Sequence, residues 1–169
     1  MPKIEPLGSH HDRESFDCGQ PDLEGYLKRI ARQHADKGVS RTFVLVDDAE
    51  PDTVLGFMTL ALCEIMPAAL PPKLATKYAH RVYGVKLARL AISRARQRQG
   101  LGALMVLHAM DCARVVADNA GIVGIVGFFV DAKDSQAQAY YLRYGFIPLI
   151  DDPLRLFLPL ATLNRALEP

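Results

Sequence analysis

Leu87-Ala88-Arg89-Leu90-Ala91-Ile92, followed by a short basic segment and then by Gln97-Arg98-Gln99-Gly100-Leu101-Gly102 and an apolar run, is the stretch that decides the fold. It reads as a buried strand, a loop, and a helix whose first turn is fed by glycines. A helix beginning there leaves its first backbone N–H groups without intrahelical partners, with the positive end of the helix dipole behind them. Gly100 and Gly102 let that backbone come close to a ligand, and Arg94, Arg96 and Arg98 add positive charge. The combination predicts a cradle for a pyrophosphate. It is not the nucleotide P-loop, because Ala103 and Leu104 stand where that loop needs its Lys-Ser/Thr pair. Nor is it the dinucleotide fingerprint, since G-x-G-x-x-G is absent.

Outward from this stretch, Val85 to Ser93 predicts a strand, Leu101 to Ala117 a helix and Ile122 to Val130 a second strand. That is a βαβ unit, with parallel strands and a right-handed crossover. The helix is apolar on most sides (Leu104, Met105, Leu107, Met110, Val115), as expected of one packed between sheet and protein. Upstream, residues 22–37 form an amphipathic helix with Leu23, Tyr26, Leu27, Ile30, Ala31 and His34 on one face, Asp22 as N-cap and Gly38 as its stop. Thr42 to Val46 and Val54 to Cys63 read as strands of a hairpin joined by the polar turn Asp47 to Asp52. Residues 64–84 are irregular, because Pro67, Pro71 and Pro72 forbid a long helix; a helical turn fits Lys73 to Tyr78.

Downstream, Asp134 to Tyr144 is a helix stopped by Gly145. Ile147 to Ile150 and Leu154 to Leu158 are short strands around the Asp151-Asp152-Pro153 turn. The expected class is α/β (α+β in its mixed sheet): a central mixed β-sheet with one parallel βαβ unit and helices on both faces, in a single domain over residues 1–169.

Composition narrows the function. The chain has 169 residues, half of them hydrophobic, and a formal net charge of +1, so it can bury a proper core and has no general affinity for nucleic acid. Such a partner would need a local basic patch. Cys18, Cys63 and Cys112 are odd in number and widely spaced, which predicts reduced thiols in a cytoplasmic protein and neither a disulfide frame nor a zinc site. Residues 1–17 hold no apolar run of signal-peptide length, and no stretch approaches a membrane span. The histidines lack metal-ligand spacing; His34 and His108 fall on apolar helical stripes and read as packed residues. No metal is expected.

The spacing Gln97-x-x-Gly100-x-Gly102 resembles the acetyl-CoA loop of the GNAT superfamily of N-acetyltransferases. Asp134-x-x-Ala137-x-Ala139-Tyr140-Tyr141-x-x-Tyr144-Gly145-Phe146 resembles the same family's closing motif. Two ordered motifs with a strand between them are hard to obtain by chance. The resemblance implies acetyl-CoA as acetyl donor, held by Leu90, Ala91, Ile92, Gln97, Arg98, Gln99, Gly100, Leu101, Gly102 and Asp134. Asp134 reads first as a helix N-cap and not as a catalyst. The resemblance also implies that Tyr141 is the general acid protonating the departing thiolate, with Tyr140 as the fallback. Read from the helix alone, Ala137, Tyr140, Tyr141 and Tyr144 make a stripe that a core would also use. No general base stands out; Glu64, past the second hairpin strand, reads better as a solvated glutamate.

Phe16-x-Cys18-Gly19-x-x-x-Leu23-x-x-Tyr26-Leu27, Gly38-x-Ser40-Arg41-Thr42-Phe43-Val44 and Leu154-x-Leu156-x-Leu158-Pro159-Leu160 resemble the GNAT toxins of bacterial toxin–antitoxin pairs. That resemblance implies acetylation of the α-amine of aminoacyl-tRNA, arrest of translation, and a ribbon-helix-helix antitoxin as partner; it leaves a homodimer open. The group's loop is usually Gln-Gly-x-Gly-x-Gly, and here Arg98 replaces the first glycine. The absent base suits such an acceptor. An α-amine with pKa ~7.7–8.0 is about a tenth neutral at pH 7, whereas a lysine at ~10.4 is under about a thousandth neutral. RNA contacts would fall to Lys28, Arg29, Arg32, Lys37 and Arg41, with Arg94 and Arg96 beside the loop, although a solvated helix face explains the first four equally well. A metabolic or detoxifying N-acetyltransferase of a small amine or peptide remains an alternative at this point. So does a catalytically silent acyl-CoA-binding regulatory module.

Overall fold

The structure is a computed structural model that describes residues 1–119 and 124–168. It holds seven strands in a mixed sheet and divides into two compact units, residues 1–61 with 88–109, and residues 62–87 with 110–169.

In the first unit, β1 (Pro2–Pro6) pairs antiparallel with β2 (Arg41–Asp47), which pairs antiparallel with β3 (Gly56–Ile65), so the expected hairpin is present. β1 was not foreseen. Its prolines at both ends are tolerated because it is an edge strand, where half of the backbone N–H groups need no ladder partner. The helix expected over 22–37 is two helices, α1 (Pro21–Arg29) and α2 (Ala31–Asp36), with Ile30 between them at φ −118°. The cause lies outside the segment. The Arg13 guanidinium donates to the carbonyls of Leu27 (3.5 Å) and Lys28 (3.1 Å), the acceptors a continuous helix would offer to Ala31 and Arg32.

Nor is Asp22 the cap. Helix α1 opens with Gln20 as N-cap and Pro21 in its first turn, where a fixed φ is already helical. Glu24 instead reaches back to accept from the N–H groups of Cys18 (3.0 Å) and Gly19 (3.1 Å). Gly38, at φ +70°, stops α2 as expected. The core of this unit gathers Phe16, Tyr26, Leu27, Ala31, Val44, Val46, Val54, Phe57 and Ala91.

The part of β4 (Val82–Ile92) that belongs to the second unit, up to Leu87, runs parallel to β5 (Gly127–Asp131), with Val85 opposite Phe128 and Leu87 opposite Val130. The βαβ reading therefore holds, although β5 is shorter than expected and Ile122 and Val123 lie outside the described residues. Strand β6 (Ile147–Pro148) is antiparallel to β7 (Arg155–Pro159), which is antiparallel to β5. The region of 64–84 contains a 3-10 turn at Pro67–Ala69 and the short α3 (Pro72–Ala75). α4 (Leu101–Asp118) and α5 (Ser135–Leu142) match expectation, and α6 (Leu160–Ala166) is an addition that buries Leu163 completely.

Phe129 stacks on Phe157 at 4.7 Å in a cluster with Ile65, Leu70, Val82 and Leu149. Helix α4 corrects one expectation: Met105, Val106, Ala109, Met110 and Ala113 are buried, but Leu104, Leu107 and Val115 are exposed. One face of a helix suffices to pack it, and the rest stays apolar in contact with solvent. Among the described residues, no helix is long and apolar enough to cross a membrane.

Candidate active site

After β4 ends at Ile92, the chain makes a 3-10 turn at Arg94–Arg96 and enters α4 at Leu101. The loop is fixed by its own polar groups. The Gln97 side-chain amide donates to the carbonyls of Ile92 (2.9 Å) and Cys18 (3.1 Å), and Gln99 reaches back to Ala95 (3.4 Å). Ser93 N–H donates to Leu55 (2.8 Å) and Arg94 N–H to Asp17 (2.8 Å). Gly100 sits at φ +78°, a conformation that side chains disfavour, and Arg98 shares that region at φ +62°. A Cβ built on Gly102 would meet no heavy atom within 4 Å. The space in front of the helix is therefore open, and a ligand can approach the backbone there.

Beside the loop lies a cavity of about 330 Å³, lined by Cys18, Gln20, Leu23, Leu90, Ala91, Ile92, Gln97 and Gly102. Its size and mixed lining suit an extended cofactor arm. Five expected donor-binding residues line it: Leu90, Ala91, Ile92, Gln97 and Gly102. Arg98, Gln99, Gly100 and Leu101 complete the adjoining loop. The wall formed by Cys18, Gln20 and Leu23 was missed; the only sequence signal was the segment around Cys18, which carried a resemblance but no role. Burial is the main cause that raises the Cys18 thiol, keeping it protonated and poorly nucleophilic.

On α5, Asp134 is the N-cap: its carboxylate accepts from the Ala137 N–H at 2.9 Å. Tyr140 and Tyr144 join their hydroxyls at 3.2 Å, and the Arg143 guanidinium lies 5.5 Å from the Tyr140 ring centre. Burial, and then the bond to Tyr144, pushes the Tyr140 phenol far up. Tyr141 is different. Its ring is buried edge-on to Phe146 at 5.6 Å, yet its hydroxyl makes no hydrogen bond among the described residues. Burial, with a smaller contribution from Tyr144, pushes that phenol up to about 12. The ring is buried, but the oxygen is not among the sealed-off polar atoms without a partner, so the hydroxyl can meet a ligand or water. This separates Tyr141 from its neighbours in the stripe.

Other candidates resolve plainly. Glu64 pairs with Arg81 at 2.7 Å on an exposed surface, as suits a solvated strand-end glutamate. His34 packs edge-on to Tyr26 and His108 to Phe43, each at 5.8 Å. The fold gathers Glu5, His10 and His11, a grouping that their spacing did not announce. His11 Nδ1 accepts from the Gly8 N–H at 2.8 Å, so Nε2 carries the ring proton and donates it to Glu5 at 2.9 Å; no His11 lone pair is left for a cation.

Of the basic residues, Arg29, Arg32, Lys37 and Arg41 are exposed and Lys28 is half-buried. Arg32 and Arg41 line a second cavity of about 280 Å³ with Pro6, Leu7, Ala35, Asp36 and Thr42. Arg94 is held by Asp17 at 3.0 Å, and Arg96 is partly buried. Arg89 lies over the Tyr26 ring at 3.7 Å.

A hydrogen-bonded strand-to-helix loop that offers open backbone beside a cavity of mixed lining is how an enzyme holds the phosphates and arm of an acyl-CoA thioester. Residues 8–146 match the model of the acetyltransferase (GNAT) family, and the chain belongs to that family. It is 33% identical over 147 residues to the tRNA-acetylating toxin of Mycobacterium tuberculosis, covering 87% of this chain and 85% of that protein. Among solved structures, it is similar to AtaT complexed with acetyl-methionyl-tRNAfMet, with 35% identity, a TM-score of 0.86, and coverage of 99% of this chain and 100% of that one. It is also similar to a tyrosine-to-phenylalanine mutant of the AtaT toxin bound to acetyl-CoA and the C-terminus of the antitoxin AtaR. There the identity is 32% and the TM-score 0.79, over 99% of this chain and 98% of that one.

Proposed function

We propose that this chain is an acetyl-CoA-dependent N-acetyltransferase that acts as a toxin, acetylating the α-amine of aminoacyl-tRNA and so blocking translation. The observation that carries this reading is its likeness, over nearly its whole length, to a toxin solved with acetyl-methionyl-tRNAfMet. In the same reading residues 1–169 work as one acetyltransferase domain in the cytoplasm, with an antitoxin as protein partner. The structure bound to the C-terminus of AtaR supports such a partner.

The loop Gln97–Gly102 receives the donor's pyrophosphate on backbone N–H groups, and Leu90, Ala91 and Ile92 line the channel for its arm. The neutral amine attacks the thioester carbonyl, the C–N bond forms, and the C–S bond breaks. Tyr141, protonated at neutral pH as an ordinary phenol is and kept so well into the alkaline range by a pKa of about 12, supplies a proton to the leaving thiolate. The proton shed by the new amide nitrogen restores the phenol, so protons balance without a dedicated base. The acceptor's low amine pKa makes that arrangement sufficient. Exposed Arg29, Arg32, Lys37 and Arg41, with Lys28, would contact RNA phosphates without reading sequence.

The test incubates purified protein with acetyl-CoA and total charged tRNA, followed by mass spectrometry of the released amino acids. Acetylated amino acids, together with growth arrest on expression in bacteria, are expected. No acetyl-aminoacyl product with harmless expression would leave acetylation of a small amine as the better reading.

A further inference from the structure

Arg89, on β4, is oriented by the fold and then left unpaired. It is half-buried, and its guanidinium lies 3.7 Å from the centre of the Tyr26 ring. That ring is a fixed platform: Tyr26 is buried, its hydroxyl shares a hydrogen bond with Ser40 at 3.1 Å, and Phe57 stacks with it at 6.4 Å. A cation over an aromatic face is held in place without using its N–H groups. Other half-buried arginines have those groups occupied: Arg13 by the Leu27 and Lys28 carbonyls, Arg114 by Asp111 at 2.7 Å, Arg155 by Asp151 at 3.2 Å. In Arg96 the Nε is sealed off instead. Arg89 makes no hydrogen bond or ion pair among the described residues, and none of its nitrogens is sealed off, so all of them can meet a ligand.

The place of Arg89 gives that free fork a direction. Leu90, Ala91 and Ile92 line the 330 Å³ cavity together with Leu23. Arg89 precedes them on β4 and, two residues before Ala91, lies on the same face of the strand. Tyr26 follows Leu23 by about one turn of α1. The pair therefore continues the cavity wall away from the Gln97 loop, about 10 Å along the strand from Ile92. A donor with its phosphates at the loop and its arm along Ile92, Ala91 and Leu90 delivers its thioester toward Arg89, and the acceptor amine must arrive at the same end.

We infer that Arg89 is a specificity-determining residue for the acceptor, its guanidinium binding the phosphate of the nucleotide that carries the aminoacyl ester. This rests on the proposed function, with the cavity as donor site and aminoacyl-tRNA as acceptor. In such an acceptor the carboxyl of the amino acid is tied up in the ester, so the anions near the amine are phosphates of the RNA end, the first of them across one ribose. A guanidinium pairs with a phosphate through two parallel N–H bonds, which an ammonium cannot reproduce. The exposed Arg29 of α1 and Arg32 of α2 are free to meet any stretch of RNA backbone, whereas Arg89 is fixed beside the reacting end and meets one phosphate. The role is recognition; Arg89 takes no part in bond making.

The experiment compares two small acceptors that differ by that phosphate alone: the aminoacyl ribose esters of adenosine and of adenosine 5′-phosphate, carrying an amino acid that the protein acetylates on total charged tRNA. Acetylation kinetics are measured for wild type, Arg89→Met and Arg89→Lys, with a thermal melt and an acetyl-CoA titration of each. Methionine keeps an unbranched stem against the Tyr26 ring, and lysine keeps a cation there. Wild type should use the phosphate ester about tenfold or more better in kcat/KM, mainly through KM, as for a charge-assisted hydrogen bond. Arg89→Met should abolish that preference by weakening the phosphate ester and sparing the bare one, with acetyl-CoA affinity unchanged. Arg89→Lys, which keeps the charge without the fork, should lose most of the preference, and it carries the test alone where the methionine variant does not fold.

A wild type that does not favour the phosphate ester, or a folded variant that keeps the full preference, overturns the inference. So does an equal loss on both esters, which is what a packing role against Tyr26 would give, or a loss of acetyl-CoA affinity, which would move Arg89 to the donor. Where charged tRNA is acetylated and any of these results is found, only the role of Arg89 falls. Where total charged tRNA yields no acetylated amino acid, the aminoacyl-tRNA reading falls first, and the role of Arg89 with it.

Discussion

Between Ile92 and Leu101 the glutamine side chains are turned back onto the chain, which leaves a ligand the backbone and the exposed Arg98 side chain. On α5 the pattern is reversed: the cap and helix bonds serve the backbone, and the Tyr141 hydroxyl makes no hydrogen bond among the described residues. The first region is built to present N–H groups at a fixed place, so its shape is the function. The second presents a single oxygen with a chosen proton affinity, so its burial is the function. A region of the first kind should be sensitive at its glycines and forgiving elsewhere. A region of the second kind should be sensitive to the loss of one atom.

Removing that atom gives the largest expected effect. Tyr141→Phe keeps the ring against Phe146 and deletes a hydroxyl with no partner among the described residues, so stability should hold or rise slightly. The turnover number should fall about 10²–10⁴-fold, the usual cost of a lost general acid, while calorimetry finds acetyl-CoA affinity unchanged. Near-normal turnover would make Tyr141 a packing residue and shift attention to Tyr140. The pH dependence sharpens the same point. Because the phenol is raised to about 12, the acid form persists across neutral and moderately alkaline pH, and wild-type activity should climb as the acceptor amine deprotonates, without an alkaline fall near 10. The sign for stability follows: a raised folded pKa favours the folded state fully below the unfolded value near 10, and that contribution is lost as pH passes about 12.

The donor loop can be broken by charge without being broken in shape. Gly100 lies at φ +78°, which Asp and Asn tolerate better than most residues, and a Cβ there meets nothing within 4 Å. Gly100→Asp should therefore fold, yet bind acetyl-CoA roughly 10–100-fold more weakly, since an anion would face the donor's phosphates. Gly100→Asn, of the same size and neutral, should lose much less. Equal losses in the two would mean that bulk, and not charge, is what the loop excludes.

The same contrast decides what the sequence could reveal. β4, the loop and α4 were legible because the conformations they need are written in local residue types, above all Gly100 and Gly102. The Asp134 cap and the Gly145 stop were legible for the same reason, Gly145 standing at φ +92°. What escaped is set by distant partners. The break at Ile30 depends on Arg13, and β1 exists because β2 is there to pair with it. The cavity wall of Cys18, Gln20 and Leu23 meets Leu90–Ile92 only through the fold, as does the Gln97 clamp on Cys18. Tyr141 was marked by motif, but its distinction from Tyr140 and Tyr144 needed the hydroxyl pairing, which no spacing encodes.

The smallest expected effect concerns Asp134, where two roles coincide in one carboxylate. As N-cap it accepts from Ala137 N–H at 2.9 Å and is exposed, so Asp134→Ala should lower stability by about 1 kcal/mol, within the usual range of 0.5–2 for a lost cap. Asp134→Ser supplies another capping oxygen and should recover most of that loss. If the carboxylate is only a cap, both variants bind acetyl-CoA as wild type does, and turnover changes little at temperatures where α5 stays folded. If it also touches the donor, Asp134→Ser should restore the melting temperature but not the affinity. A thermal melt and a calorimetric titration on the two variants therefore separate the roles. The outcome also tests the contrast between the regions, because a donor contact at Asp134 would give α5 a binding task that its otherwise satisfied backbone does not suggest.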